Sequence, residues 1–293
     1  SDPIWQNTNI RVRYSSWMRS LAMTAVRSIR RRFPVTEVIP INLGEMSTTD
    51  LRQFLNDAAQ PVLLWPVGST EPHGPHLPLA TDTILADENG RRAARRLRAM
   101  GIEAVVAPAL PYGVTDYAAG FRGAVSIPGP VLVNFLVAGI EAYLADGFSH
   151  VCLINHHLET GQIDALTAVH DTIAERHGPE RISFPRVISR RWGRDLGAEF
   201  RSGACHAGAY EGSLILAATP QLYRHDRAQT LEEVPISLST AMRAGQKTFL
   251  EAGVDQAYTG RPADATTDEG ERLYAVLTDM VATEVKEHLE ISS

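Results

Sequence analysis

Cysteine is scarce in this 293-residue chain: there are two, Cys152 and Cys205, far apart and in no CxxC pair. That usage argues against a disulfide framework and fits a reducing, cytoplasmic compartment. Positive charge is also short, since 28 Lys and Arg against 34 Asp and Glu leave a net charge of -6. A nucleic-acid partner, which needs a basic surface, is therefore not expected. No uninterrupted apolar run reaches the roughly 18 residues that span a bilayer, so a membrane partner is not expected either. Internal repeats and low-complexity tracts are absent. The remaining composition, 44% hydrophobic and 21% charged, is that of a globular protein with a substantial core, in one large α/β domain or two modest ones.

One segment departs from this average. From Asn9 to Phe33 there are seven arginines and no acidic residue. Such a start reads either as a targeting or membrane-surface segment or as an upstream extension that packs on a neighbouring subunit. The extension is preferred, because no small-residue cleavage site follows a clear apolar stretch. Residues 1–37 are set apart as a basic N-terminal extension, and 38–293 as the working domain.

Within that domain the pattern alternates. Ser47 to Asn56 reads as a short helix capped by Ser47 or Thr48. Pro61 to Val67 is a short, wholly apolar run expected of a strand buried on both faces. Thr83 to Met100 reads as a helix stopped by Gly101, and Ile102 to Ala107 as a second strand. Val131 to Asp146 is an apolar helix ended by Gly147, followed by a strand at His150 to Asn155 and a helix at Thr160 to His177. A fourth strand is expected at Ile182 to Ser189, and a later helix from about Tyr210 to Ala218. Strand and helix in alternation predict a mainly parallel sheet flanked by helices, with ligands collecting at the carboxyl ends of the strands.

Two such ends carry unusual chemistry. The first strand runs into Glu71-Pro-His73-Gly-Pro-His76-Leu-Pro-Leu-Ala-Thr-Asp82. Glu71 and His73 are two apart, so in an extended segment both leave the same face, and Gly74, Pro75 and Pro78 turn the chain so that Asp82 can return to them. The third strand runs into His157-Leu-Glu159, the same imidazole and carboxylate spacing reversed. Acidic oxygens with neutral imidazoles suit zinc, manganese or iron. Five candidate ligands, Glu71, His73, Asp82, His157 and Glu159, suit two ions about 3.5–4 Å apart bridged by Asp82 better than one. Two ions sharing a water make hydroxide available at neutral pH and polarise a carbonyl beside it.

A third cluster is Cys205-His206-Ala-Gly208-Ala-Tyr210-Glu211. His206 is the candidate acid/base that protonates a leaving nitrogen, and Glu211, in the first turn of a helix, a candidate to orient it or the ligands. The Gly- and Pro-rich stretch Pro111 to Pro130 is too long for a simple connection and is a candidate active-site loop. Residues 108–130 and 186–204 are expected to line the pocket. Tyr117, Phe121, His156 and Cys205 are the candidate substrate contacts. The plainer alternatives are packing for the aromatics, a glycine substitute facing solvent or an extra ligand for His156, and a small apolar filler for Cys205. His76 reads as structural.

At these clusters the sequence resembles the creatininase family of amidohydrolases. The family pattern G-S-x-E-Q-H-G-P-H-L-P-L-x-T-D reads here Gly68-Ser-Thr-Glu71-Pro-His73-Gly-Pro-His-Leu-Pro-Leu-Ala-Thr-Asp82. The N-G-H element, in the version that keeps a glutamate, reads Asn155-His156-His157-Leu158-Glu159-Thr160, and H-A-G-x-x-E-T-S reads His206-Ala-Gly208-Ala-Tyr-Glu211-Gly-Ser213. Gly120-Phe-Arg-Gly-Ala-Val-Ser looks like the family's F-x-G-T-x-S/T loop. The likeness covers roughly residues 40 to 285.

The resemblance implies a single α/β domain, a homohexamer, and two divalent ions (Zn or Mn, with Fe as a further option). Glu71 and His157 would hold one ion, His73 and Glu159 the other, with Asp82 bridging and His206 catalytic. Pro72, His156, Thr160 and Cys205 depart from the family's glutamine, glycine, asparagine and glutamate. The ligands are kept and the pocket-shaping groups are not, so a small, cyclic amide other than creatinine is the expected substrate. Its C–N bond would be cleaved by the ion-bound hydroxide. A formamide deformylase or peptide-trimming amidase using the same site is the alternative, although the retained Glu159 leans against it. A non-catalytic, metal-stabilised oligomeric subunit is the third reading.

Overall fold

A computed structural model describes residues 39–291, all within one compact unit that runs from Ile39. The basic N-terminal extension lies outside the described residues. Helix α1 (Thr48–Asp57) opens on Ser47, whose hydroxyl accepts the Asp50 N–H while the Asp50 carboxylate accepts the Ser47 N–H, a reciprocal capping box. The order then runs β1 (Val62–Val67), α2 (Thr81–Ala99), β2 (Ala104–Val106), α3 (Gly129–Asp146), β3 (His150–Asn155), α4 (Thr160–His177) and β4 (Ile182–Ser183). Helices α5 (Gly197–Ser202), α6 (Ala209–Ala218), α7 (His225–Ala228), α8 (Leu238–Arg243) and α9 (Thr267–Ile291) complete it. The expectation of a parallel sheet flanked by helices is met.

The four strands pair in the order β2-β1-β3-β4, all parallel. Side-chain alternation sorts each strand onto two layers. Val62 and Leu64 of β1 join Cys152 and Ile154 of β3 in one core with α2, α6 and α9. Leu63, Trp65 and Val67 join Val151 and Leu153 in the other, under α3 and α4. The helix α2 lies so close to the sheet that a Cβ on Gly90 would stand 3.3 Å from both Pro66 and Val106. Arg98, near its end, ties down the start of the described chain by donating to the carbonyls of Ile39 and Pro40.

One expectation is corrected. The fourth strand ends at Ser183 rather than Ser189, because Pro185 has no N–H to continue the ladder. The chain beyond it turns back in short helical pieces toward the strand ends. Helix α3 has the length and apolar composition of a membrane span, although Asn134 and Glu141 interrupt its apolar run. It packs Leu132, Leu136, Ile140 and Leu144 into the core under the sheet.

The strand order fixes where a ligand site forms. From β1 the chain moves outward to β2, then crosses back over β1 to β3. The winding direction reverses between β1 and β3, and the crevice at their carboxyl ends is the switch point of such a sheet. Val67 and Asn155 are partners at that end, so the segments 68–82 and 156–159 leave the sheet side by side.

Candidate metal centre

Three imidazoles at this crevice share one arrangement. His73 Nδ1 lies 3.1 Å from the Glu71 carbonyl, His157 Nε2 2.7 Å from the Val114 carbonyl, and His206 Nε2 2.9 Å from the Pro72 carbonyl. A carbonyl can only accept, so in each ring that nitrogen carries the proton. The other nitrogen of each ring is thereby left to face the acids. His157 Nδ1 is 3.1 Å from both Glu71 Oε1 and Asp82 Oδ2. His73 Nε2 is 3.2 Å from Asp82 Oδ1, 3.5 Å from Glu211 Oε2 and 3.9 Å from Glu71 Oε1. His206 Nδ1 is 3.8 Å from Glu71 Oε1. The two oxygens of Asp82 thus face different imidazoles.

Lone pairs of nitrogen and carboxylate oxygen repel at these separations unless a cation lies between them. Ligands at about 2.0–2.1 Å from a tetrahedral zinc stand roughly 3.4 Å from one another, close to the spacings around both His157 and His73. Backbone-anchored imidazoles with the free nitrogen directed inward are also the usual second shell of a metal site. The donor set therefore fits divalent ions. Without them the protons must do the work. Burial alone would depress the His73 imidazole, yet Asp82, Glu211 and Glu71 override it and push it up to about 10. His157 is raised well above its ordinary value against its burial by Glu71 and Asp82. Asp82, despite a burial that opposes ionisation, is held well below the carboxylate range by His73 and His157.

Local structure builds each position. Asp82 sits in the first turn of α2, where the helix end favours an acid, and Ser69 donates to its Oδ2 at 2.7 Å. Thr115 hydrogen-bonds the second oxygen of Glu71. Ala207, in a left-handed conformation at φ 52°, turns the chain between His206 and α6, and its N–H donates to Glu211 at 2.6 Å. His206 lies between two rings, with centroids 4.4 Å from His73 and 4.5 Å from Phe249. Burial and the neighbouring His73 push it down to about 4, so it is neutral at pH 7.

Glu71, His73, Asp82, His157 and Glu159 do converge, but the pairing differs from the expected one. Glu159 does not approach His73. Its oxygens accept the N–H groups of Asp116 and Tyr117 at 3.0 and 3.1 Å, and it nears His157 at the nitrogen committed to Val114, 3.7 Å away. Glu211, expected only to orient its neighbours, instead joins His73 and Asp82 in a candidate ion-holding group, beside Glu71–His157–Glu159 and Glu71–His73–His206. The reason is tertiary: α6 docks against α2, and its first turn delivers Glu211 to within 3.5 Å of His73 Nε2.

The floor opens into a cavity of about 860 Å³. Tyr117 and Cys205 line it; His156 and Phe121 do not. His156 is buried, its Nε2 3.2 Å from Asn89 Nδ2 on α2, and burial pushes it down to about 4. Phe121 packs its ring on Phe249. Both are corrected to packing positions. The Cys205 thiol is pushed up to about 12 by burial with Glu211 and Glu199, which makes it the uncharged filler of the plainer reading. Of the two segments expected to line the cavity, 186–204 does so with eight residues and 108–130 with Tyr117 alone. The loop 108–130 serves as a clamp instead: Gln162 accepts the Val114 N–H, and Thr115 and Glu159 hold it to the floor. Phe249 and the arginines of the cavity mouth carry no signal in local spacing.

Comparison with known proteins agrees with the geometry. The sequence profile Creatininase, described as creatinine amidohydrolase, matches residues 44–285. The mycofactocin precursor peptide peptidase of Mycobacterium tuberculosis (strain CDC 1551 / Oshkosh) is 31% identical over 264 residues, 86% of this chain and 92% of that protein. Among solved structures, one described as Creatininase Mn superposes with a TM-score of 0.64 at 20% identity, covering 85% of this chain and 98% of that one. A point mutant described as Zn-Zn type gives 0.63 at 20% identity, with the same coverage. At such identity the two structures speak for the fold.

Proposed function

The chain belongs to the creatininase family of amidohydrolases; on that premise we propose that it cleaves the C–N bond of a modest-sized amide with two divalent ions held about Asp82. The observation that carries this is the division of the Asp82 carboxylate between two imidazoles whose other nitrogens are already committed to carbonyls. Glu71, His157 and one Asp82 oxygen would hold one ion; His73, Glu211 and the other Asp82 oxygen would hold the second. Zinc and manganese both suit this donor set and both are named for solved relatives. When bound, such ions supply Lewis acidity toward a carbonyl and make a water nucleophilic at neutral pH.

The chain's own groups then manage the protons. Water adds its oxygen to the carbonyl carbon, the C–N bond breaks, and the released amine needs a proton. His206 is neutral, lines the cavity and has Nδ1 turned to the floor, so it takes the proton from the attacking water and passes it to the leaving nitrogen. Burial pushes the Glu159 carboxyl up to about 7, which lets it share that traffic from its own place in the cavity lining. Phe249 and His73 on either side of His206 fix its ring plane. The cavity lies in the upper part of the range for drug-sized ligands. It has room for an amide with an appended chain as well as a small ring.

A second reading, removal of a residue from a short peptide by the same groups, is favoured by the peptide peptidases among the relatives and by the cavity's size. A homo-oligomer, a hexamer by family resemblance, is part of the proposal and is checked by sedimentation. The functional test is turnover of lactams, linear amides and short peptides by metal-loaded protein, with and without prior chelation. Hydrolysis that chelation abolishes and zinc or manganese restores is expected. Full activity in protein stripped of ions would refute it.

A further inference from the structure

Above the acid floor, the mouth of the cavity is basic. Arg190, Arg194, Arg201 and Arg243 all line it and all are exposed. They come from three places, the turn after β4, the helix α5 and the helix α8. In a protein of net charge -6, four arginines around one opening need an explanation, and internal ion pairing does not provide it. Arg194 meets Asp195 at 3.3 Å. Arg201 donates to the Arg194 carbonyl and Arg243 to the Thr240 hydroxyl. Among the described residues, Arg190, Arg201 and Arg243 have no carboxylate within 4.0 Å. The opposite sign lies deeper, where Glu71, Asp82, Glu159 and Glu211 also line the cavity.

We propose that Arg190, Arg201 and Arg243 select an amide whose leaving amine carries a carboxylate, as in an N-acyl amino acid, and hold that carboxylate at the cavity mouth. This rests on the amidohydrolase reading above. The four acids of the floor offset the charge of the two ions they would hold, so the unpaired guanidiniums of the rim are left to bind the anionic end, and an end held there leaves the amide turned inward. A guanidinium presents its N–H groups as a fork that matches a carboxylate in two parallel hydrogen bonds. Ile188, Phe200, Leu238 and Met242 also line the cavity and suit an apolar acyl group. The amine-side carboxylate belongs to a free amino acid or to the C-terminus of a short peptide, and the chemistry is the same for both.

The test uses metal-loaded full-length protein and three probes: hippurate (N-benzoylglycine), its neutral isostere hippuramide, and benzoyl-glycyl-glycine. Binding is measured calorimetrically and benzoate release by chromatography. Hippurate should bind at least about tenfold more tightly than hippuramide. Arg190→Ala, Arg201→Ala and Arg243→Ala combined should bring that ratio near one, and the triple lysine variant should recover part of it. All three positions are exposed, and thermal melting checks that the variants fold. Tighter binding of benzoyl-glycyl-glycine or of hippurate supports the rim in either order and identifies the carboxylate's source. Equal binding of hippurate and hippuramide by the unaltered protein, or a ratio unchanged in the triple alanine variant, overturns the proposal. Preferential binding without benzoate release would leave the rim standing and count against the amidohydrolase reading alone.

Discussion

The floor and the rim of the same cavity are built on opposite physical terms. On the floor, His73, Asp82, Glu71 and Glu211 are between 0% and 3% exposed, and every side chain is held from two directions. His73 is pinned by a carbonyl and faced by acids; Asp82 is gripped by Ser69 and shared by two imidazoles. At the rim the arginines are exposed, come from separate elements and make mostly local hydrogen bonds. A buried polar cluster tolerates no half-measures, because an unmatched group there has no water to turn to. An exposed charge is screened, mobile and replaceable. Chemistry therefore resides in the part that cannot vary without collapse, and substrate choice in the part that can.

Breaking the floor should have the largest effect. His73→Ala removes the group facing one Asp82 oxygen and should lower turnover by at least about a thousandfold, with loss of bound ion by elemental analysis. Glu211→Gln and Glu159→Gln sharpen the comparison within the floor. Each should lower turnover by about a hundredfold, but only Glu211→Gln should reduce the ion content from two toward one. The reverse pattern would restore Glu159 as the partner of His73. Removing the support behind Asp82 costs less: Ser69→Ala should weaken ion affinity by about tenfold, measured by competition with a chelating dye. The smallest effect belongs to the rim. Raising the ionic strength from about 0.05 to about 0.5 M should raise KM for a carboxylate-bearing amide severalfold, while the ion content stays constant.

How much of this could be read from residues alone follows the same division. The strand His150–Asn155 and the helix Thr160–His177 were legible to the residue, because uninterrupted apolar runs and glycine stops encode them locally. The convergence of Glu71, His73, Asp82 and His157 was legible too, since turn residues fix one segment and strand order brings the other beside it. The role of Glu211 was not, for its nearness to His73 depends on how α6 docks on the α2 side of the sheet. His156 stands next to the candidate ligand His157 in sequence, yet neighbours on an extended segment leave on opposite faces, and it turns toward Asn89. The rim was invisible because an arginine on a surface turn has the same local signature whether it faces solvent or a cavity. Pro185 could have shortened the fourth strand in advance, as a residue that cannot donate to a ladder.

Anomalous diffraction from crystals of the full chain grown with zinc, recorded across the zinc edge, addresses the division of Asp82 directly. Two peaks are expected, one on each side of its carboxylate, the first beside Glu71 and His157 and the second beside His73 and Glu211. A single peak, or a pair in which the ion near His73 is held by Glu159 with Glu211 turned away, would contradict it.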